Sequence, residues 1–397
     1  LAVRKITDTV INVGVIDWDR QLFDELIPLP DGTSYNSYFI FGSEKNALID
    51  TSDPAKSGEY FRSLDTAKIE RIDYIIANHA EQDHSGLLPH VLGKYPNAKI
   101  VTNEKCKGFL KEHLLLQDGD FITVVDGETL SLGNKTLQFH LAPWVHWPET
   151  MFTYLIEEKI LFSCDFLGSH FATAQPFSDD SQRVFRAAKR YYAEIMMPFR
   201  SFVKKHLAKV TELSPSIICP SHGPSYSNPR FILSAYQDWV SEHTLRKVVL
   251  PFVSMHGSTK VIVEYLVHTL SQKAIEAIPL NMVVKDLGEL AIEIVDASTI
   301  VLGVPTMLLA PQPQMLYTVA LINALKPKTN FLSVVNSYGW ATKTNEIIRT
   351  ALGNLKAEWI DPIEIKGFPK ASDFELLSRL TERIVEKNQR IPVGGAS

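Results

Sequence analysis

Over roughly the first 240 positions, apolar residues recur mostly at every second place, in short runs broken by turns. That alternation predicts strands with one face buried. Val10–Asp17 and Ser37–Phe41 alternate in this way, and Ala47–Asp50, Ile72–Ala77 and Lys99–Val101 are compact apolar runs of strand length. Phe121–Val125, Leu137–Leu141, Met151–Ile156 and Ile160–Ser163 continue the series. The spacing then changes to three and four residues over Ser181–Glu212, which predicts one long helix, before a last strand at Ser216–Cys219. Many short strands with helices laid outside them fit a layered αββα sandwich better than a single parallel sheet.

After Asn228-Pro229 and a helix over Phe231–His243, the pattern changes character. Val248–Val253, Ala277–Leu280, Thr299–Val304, Phe331–Asn336 and Ile363–Ile365 read as short buried strands. Amphipathic helices fall between them at Thr259–Lys273, Gly288–Ile294, Gln314–Leu325 and Thr344–Leu352. Strict alternation of strand and helix predicts an α/β fold with a doubly wound parallel sheet. The expected domains are therefore 1–245 and 246–397, with no internal repeat. Pro251 conflicts with its place inside a strand, because it has no N–H to give, so a bulge or a missing ladder bond is expected there.

Composition narrows the functional class. The net charge of −5 is mild and both signs are scattered, so a nucleic-acid partner is not expected. The uncharged stretch Ala297–Leu325 is long enough to suggest a membrane span, but Gly303, Pro305, Pro311 and Pro313 divide it. Cys106, Cys164 and Cys219 are widely spaced and form neither a disulfide framework nor a C-x-x-C pair. With no secretory signal apparent after Leu1, a cytoplasmic protein with reduced thiols is expected.

Candidate chemistry concentrates at strand ends. Residues 79–84 read His-Ala-Glu-Gln-Asp-His directly after an apolar strand. His146, Asp165 and His222 stand at three later strand–turn junctions, where a scaffold projects functional side chains. His79, Glu81, Asp83, His84, His146, Asp165 and His222 form a nitrogen–oxygen set without a thiolate. So many groups suit two adjacent ions of high coordination number, and three carboxylates with a bridging hydroxide would neutralise two divalent charges. Iron or manganese is favoured over zinc, whose sites are usually smaller and richer in sulfur or nitrogen.

The second half carries a different signature. Ser254-Met255-His256-Gly257-Ser258-Thr259 opens a helix after a strand, and successive backbone N–H groups there form an anion site. The loop lacks the lysine of a nucleoside-triphosphate loop, so a terminal monophosphate fits better. Pro305-Thr306-Met307-Leu308 and Ser337-Tyr338-Gly339-Trp340 follow two further strands at their carboxyl ends, where doubly wound sheets bind ligands. Their backbone donors and aromatic rings suit an isoalloxazine.

The pattern His79-x-Glu81-x-Asp83-His84, followed by His146, Asp165 and His222, resembles the flavodiiron proteins, or A-type flavoproteins. These join a metallo-β-lactamase-like domain to a flavodoxin-like one, and the hydrolases of the wider superfamily carry His where Glu81 stands. The resemblance spans the chain and implies two irons and FMN. It places His79, Glu81 and His146 on one iron, Asp83 and His222 on the other, and Asp165 between them. At the place of His84 some members have water instead of the imidazole. His170 matches a recurring position and is counted with the catalytic candidates His79, Glu81, Asp83, His146, Asp165 and His222, either behind the ligands or in the substrate pocket; Trp147 reads as a shield, and Asp50 as a loop support. The second flavin loop, Met307-Leu308-Leu309-Ala310-Pro311, is more apolar than is usual in the family.

The resemblance also implies an oxidoreductase that reduces dioxygen to water, or nitric oxide to nitrous oxide. No C-x-x-C module appears, so the electron donor is expected to be a separate molecule: rubredoxin, a reduced deazaflavin coenzyme or an NADH-linked reductase. A head-to-tail homodimer, or a dimer of dimers, would bring each flavin to its partner's irons. Two rival readings share these residues. One is a two-metal hydrolase with an attached flavodoxin module, and the other a non-catalytic electron carrier.

Overall fold

The computed structural model describes residues 3–178 and 181–391, so the expected domain ends at 1–2 and 392–397 lie outside it. The chain divides into two compact units, Leu1–Val240 and Ser241–Ser397.

In the first unit two sheets stack. One has seven strands in the order Arg4–Lys5, Val10–Asn12, Tyr38–Ile40, Ala47–Ile49, Tyr74–Ile76, Lys99–Thr102 and Phe121–Thr123. The other has five, Thr129–Ser131, Thr136–Leu141, Met151–Leu155, Ile160–Cys164 and Ile217–Pro220. The two-residue period of a strand explains how one sheet serves two cores. Ala47, Ile49, Ile76 and Val101 face inward and pack with Phe139, Met151 and Phe162 of the second sheet. Their neighbours Leu48, Ile75 and Ile100 point outward and pack under Tyr60, Leu64, Val91 and Leu110 of the outer helices. On the opposite side Phe152 stacks on Phe166, which meets Tyr236 of the helix Pro229–Val240. This is the expected αββα sandwich.

Two local expectations need correction. Val10–Asp17 is not one strand: Val10–Asn12 joins the large sheet, while Val15–Asp17 pairs separately with Thr33–Tyr35. The break falls at Gly14, where an added Cβ would lie 2.1 Å from the Tyr35 carbonyl oxygen. Nor is Ser181–Glu212 a single helix. Helix Ser181–Tyr191 passes through a π turn at Tyr192–Met196 and a 3-10 turn at Met197–Phe199 into helix Arg200–Leu213. Pro198 is the cause, since it cannot donate its ladder bond and its ring would collide with the carbonyl four residues back.

The second unit is a parallel sheet ordered Glu276–Asn281, Leu245–Phe252, Ala297–Met307, Phe331–Tyr338 and Glu358–Trp359, with Ile363–Lys366 also beside Phe331–Tyr338. Helices Ser258–Gln272 and Ala371–Gln389 cover one face through Ile262, Leu266, Leu377 and Ile384. The period reading did not name the second of these helices. Leu287–Ile294 packs on the other face. No bulge occurs at Pro251, because the register with Ala297–Met307 is unshifted from Val248 to Phe252 and the irregularity lies upstream, between Leu245 and Val248. Val253 N–H donates to Gly303, so by the two-residue period the Pro251 nitrogen faces that same strand, and one bond is simply missing. Among the described residues, no helix is long and apolar enough to cross a membrane; Ala297–Leu325 is a strand, a short hairpin arm and a helix.

Candidate metal centre and flavin site

The first-unit site is built from turns at strand ends. Tyr74–Ile76 leads into Asn78 and His79, and a short helix Gln82–Ser85 turns Asp83 and His84 back beneath them. Ile160–Cys164 ends with Cys164 at φ 54°, a left-handed conformation that swings Asp165 off the sheet. Ile217–Pro220 ends ahead of His222, and Gly223 (φ 81°) makes the turn. Asp50, itself at φ 52°, supports the first loop by accepting from the Asn78 N–H at 2.8 Å and its side-chain amide at 3.0 Å. Burial lifts the Asp50 carboxyl to about 6 against those bonds.

All seven candidate ligands converge. His79, Glu81, His146 and Asp165 form one group of donor atoms, and Asp83, His84 and His222 form a second. Asp165 joins them. Its Oδ2 lies 3.5 Å from His79 Nε2 and 3.3 Å from His146 Nε2, while its Oδ1 lies 3.0 Å from His84 Nε2 and 3.3 Å from His222 Nε2. Glu81 Oε2 closes the first group at 3.0 Å from His79 and 3.2 Å from His146. Asp83 closes the second, with Oδ2 3.2 Å from His222 and Oδ1 3.3 Å from His84.

These separations fit metal ligation. Two donors each about 2.1 Å from an ion, at roughly right angles, stand about 3 Å apart. Both carboxylate oxygens of Asp83 and of Asp165, and Nε2 of His84, are buried without a hydrogen-bond partner. Buried polar atoms left unsatisfied are costly, and a cation at their convergence removes that cost. The outer nitrogens of two imidazoles are already engaged: His79 Nδ1 meets Glu149 Oε1 at 2.6 Å, and His222 Nδ1 meets the Ser34 carbonyl at 2.7 Å. As donors there, they leave both Nε2 lone pairs pointing inward.

Without an ion, burial opposes charge on the imidazoles, yet the carboxylates prevail and bring His146 up to about 9 and His222 up to about 10. Glu81 and Asp165 are held below the usual carboxylate range by these imidazoles, against burial. Cys164 also lies near His84 and Asp165, and in the metal-free protein burial pushes its thiol well above the ordinary value.

His170 stands beside the centre rather than in it. Its Nδ1 is 2.8 Å from Thr33 Oγ1, and its ring centroid is 4.9 Å from those of His222 and Tyr191. Burial, with the neighbouring His222, holds it well below the ordinary imidazole value, hence neutral. The Trp147 and His79 rings meet edge to face with centroids 5.0 Å apart, and Trp147 lines a cavity of about 540 Å³ that reaches Glu81 and Asp83. Sequence reasoning missed Glu149, Ser34, Thr33 and Phe23. Of these only Glu149, three residues past His146, carried a local signal.

In the second unit a cavity of about 310 Å³ is lined by Met255, His256, Ser258, Thr259, Pro305, Thr306, Ser337, Tyr338, Gly339 and Trp340, joined by Gly367. Ser254 and Gly257 instead shape the turn: Ser254 Oγ accepts from the Lys260 N–H at 3.2 Å, and Gly257 (φ 90°) precedes the helix. Met307 and Leu308 are not on this wall. Ala297–Met307 runs through the expected second loop and folds back on Ala310–Pro311, with Leu308 (φ 49°) and Leu309 (φ 70°) forming the hairpin turn. The three segments are tied by Thr259 Oγ1–Ser337 Oγ at 2.8 Å and by Asn336 Nδ2 to Thr306 Oγ1 at 2.9 Å. Helix N–H groups at one end and open aromatic rings at the other suit a flavin phosphate and its ring.

Comparisons with known proteins agree with this geometry. Residues 33–223 match the family described as ODP family beta lactamase. A flavo-diiron protein of Clostridium acetobutylicum is 31% identical, over 89% of this chain and 91% of its own. The chain belongs to the flavodiiron family. A nitric oxide reductase of Moorella thermoacetica is 30% identical over 96% of this chain and 98% of its own. The solved rubredoxin oxygen:oxidoreductase of Desulfovibrio gigas superposes with a TM-score of 0.94 at 27% identity, over 98% of this chain and 99% of that one. This flavodiiron chain is thus an oxidoreductase whose family is named for a flavin and iron, and its two units carry the β-lactamase-like and flavodoxin-like folds.

Proposed function

We propose that the chain reduces dioxygen to water, or nitric oxide to nitrous oxide, with two irons in the first unit and FMN in the second. The observation that carries this reading is the divided carboxylate of Asp165, one oxygen in each donor group. His79, Glu81 and His146 would hold one iron, Asp83, His84 and His222 the other, and Asp165 both. When bound, the irons supply one-electron redox changes at the gas and the flavin a two-electron reservoir.

The protein's own residues prepare that chemistry. Glu149 and the Ser34 carbonyl fix the tautomers of His79 and His222. Trp147 and Phe23 give the cavity above Glu81 and Asp83 an apolar wall. The turn 254–259 would seat the flavin phosphate on backbone N–H groups, with Tyr338 and Trp340 beside the ring. Met255, Leu308 and Trp340 are exposed apolar residues of the flavin unit, which supports a head-to-tail homodimer covering that surface. A separate protein or coenzyme would then donate the electrons.

The test is anaerobic reduction of iron- and FMN-quantified protein with rubredoxin, a reduced deazaflavin and an NADH-linked reductase in turn, timing oxygen and nitric oxide uptake separately. Gas consumption with bound FMN is expected. Zinc in place of iron, hydrolytic turnover and no flavin absorbance would favour the two-metal hydrolase instead.

A further inference from the structure

Reduction of dioxygen to two waters takes four electrons and four protons, and side chains whose lone pairs hold metal have no proton to give. The cavity above them is roofed by a small hairpin, Leu22–Phe23 paired with Ile27–Pro28. Its turn closes with the Leu26 N–H donating to the Phe23 carbonyl at 3.0 Å, and Asp24 (φ 49°) and Glu25 (φ 52°) both take left-handed conformations. That geometry is costly for residues with side chains. Phe23 anchors the hairpin, with its ring centroid 5.0 Å from that of His170 and 6.0 Å from that of His222.

Two other polar groups of the wall are held locally. Arg20 donates to the Leu22 carbonyl at 2.6 Å, and Asp53 accepts from the Ala55 N–H at 2.8 Å. His113 packs its ring against Phe109 and Trp147. Asp24 lines the cavity with Glu81 and Asp83, is exposed on its outer side, and has neither a hydrogen bond nor an ion pair among the described residues.

We propose that Asp24 delivers protons from solvent to the gas being reduced, an inference that rests on the gas-reductase reading. Each proton leaves the Asp24 carboxyl for an oxygen of the reduced gas, and the carboxylate is reprotonated from bulk water. The electrons come from the donor that reading already requires. The charged and titratable groups facing Asp24 are Arg20, Asp53, Glu81, Asp83, His113 and, past Glu81, His146. In the metal-free protein burial first, and then the charges of Glu81 and Asp83, raise its carboxyl above the ordinary aspartate value.

The experiment compares the loaded wild type with Asp24→Asn, which tolerates the left-handed turn, and Asp24→Glu. Asp24→Asn is expected to lower kcat for oxygen on the order of a hundredfold, more steeply as pH rises, with KM, iron and flavin content unchanged. Asp24→Glu should restore most of the rate. In infrared pH titrations of the loaded protein, one carboxylate-to-carboxyl conversion seen in the wild type should be absent from Asp24→Asn. An unchanged kcat and pH profile in Asp24→Asn overturns the proposal, as does a rate loss that merely follows iron loss. A wild type that consumes neither gas sinks the reductase reading instead, so the two failures are distinguishable.

Discussion

Asp165 shows how much one side chain can organise. It is buried, both its oxygens lack hydrogen-bond partners, and each faces two imidazoles. His84 is less central, because it stays apart from the group of His79, Glu81 and His146, whereas Asp165 reaches both. Asp165→Ala is therefore expected to empty both metal positions. His84→Ala should weaken only one, by more than the roughly 10–100-fold that loss of an outer-shell partner costs. Iron content by elemental analysis, normalised to protein, checks both; equal losses in the two variants would contradict the divided role of Asp165. Glu149 acts at the same scale from outside, since its Oε1 also accepts from the Ala80 N–H at 3.1 Å and so fixes both the imidazole and the loop that carries it.

At the scale of elements, the site depends on how strands stop. The strand-end turns that carry Asp50, Asp165 and His222 each contain a left-handed residue: Asp50 itself, Cys164 and Gly223. Only the last is glycine, and there a Cβ would meet Ser169 Oγ at 2.2 Å and the Ser169 carbonyl at 2.6 Å. Gly223→Ala is expected to cost about 1–3 kcal/mol from the φ alone, with the backbone contact adding to it. Urea denaturation should show a lower midpoint, and the ion position served by His222 should bind metal more weakly. A variant with wild-type midpoint and iron content would show that the turn can yield. The broken helix at Pro198 and the Leu308–Leu309 hairpin belong to the same scale: in each a backbone constraint overrides the side-chain period.

At the scale of the whole molecule, charge couples the metal centre to pH. In the metal-free protein the imidazoles of His146 and His222 carry folded-state values of about 9 and about 10, above the ordinary value of about 6.5. Their contacts with the carboxylates therefore stabilise the metal-free fold fully below about pH 6.5 and are lost as pH rises through 9 to 10. Metal must displace those protons, so apparent affinity should rise with pH across that window and binding should release protons. Calorimetric titration with ferrous ion in buffers of different ionisation enthalpy measures the release; a pH-independent affinity would contradict the charged state of the empty site.

Much of this was readable in the amino-acid order, because periodicity and strand-end placement are local properties. The two-residue runs and the later strand–helix alternation predict both layered folds, and the spacing of residues 79–84 points to a candidate metal site. Pro198 and Gly14, by contrast, interrupt their elements through clashes that a period does not register. What only the tertiary structure decided is direction and partnership. The opposite facing of the two Asp165 oxygens, Glu149 behind His79, and the Phe23–Asp24 hairpin over the cavity arise where segments far apart in the chain are packed together by the two-sheet core. Side-chain direction at those places follows from left-handed turns and neighbouring packing, and a linear pattern holds no record of either.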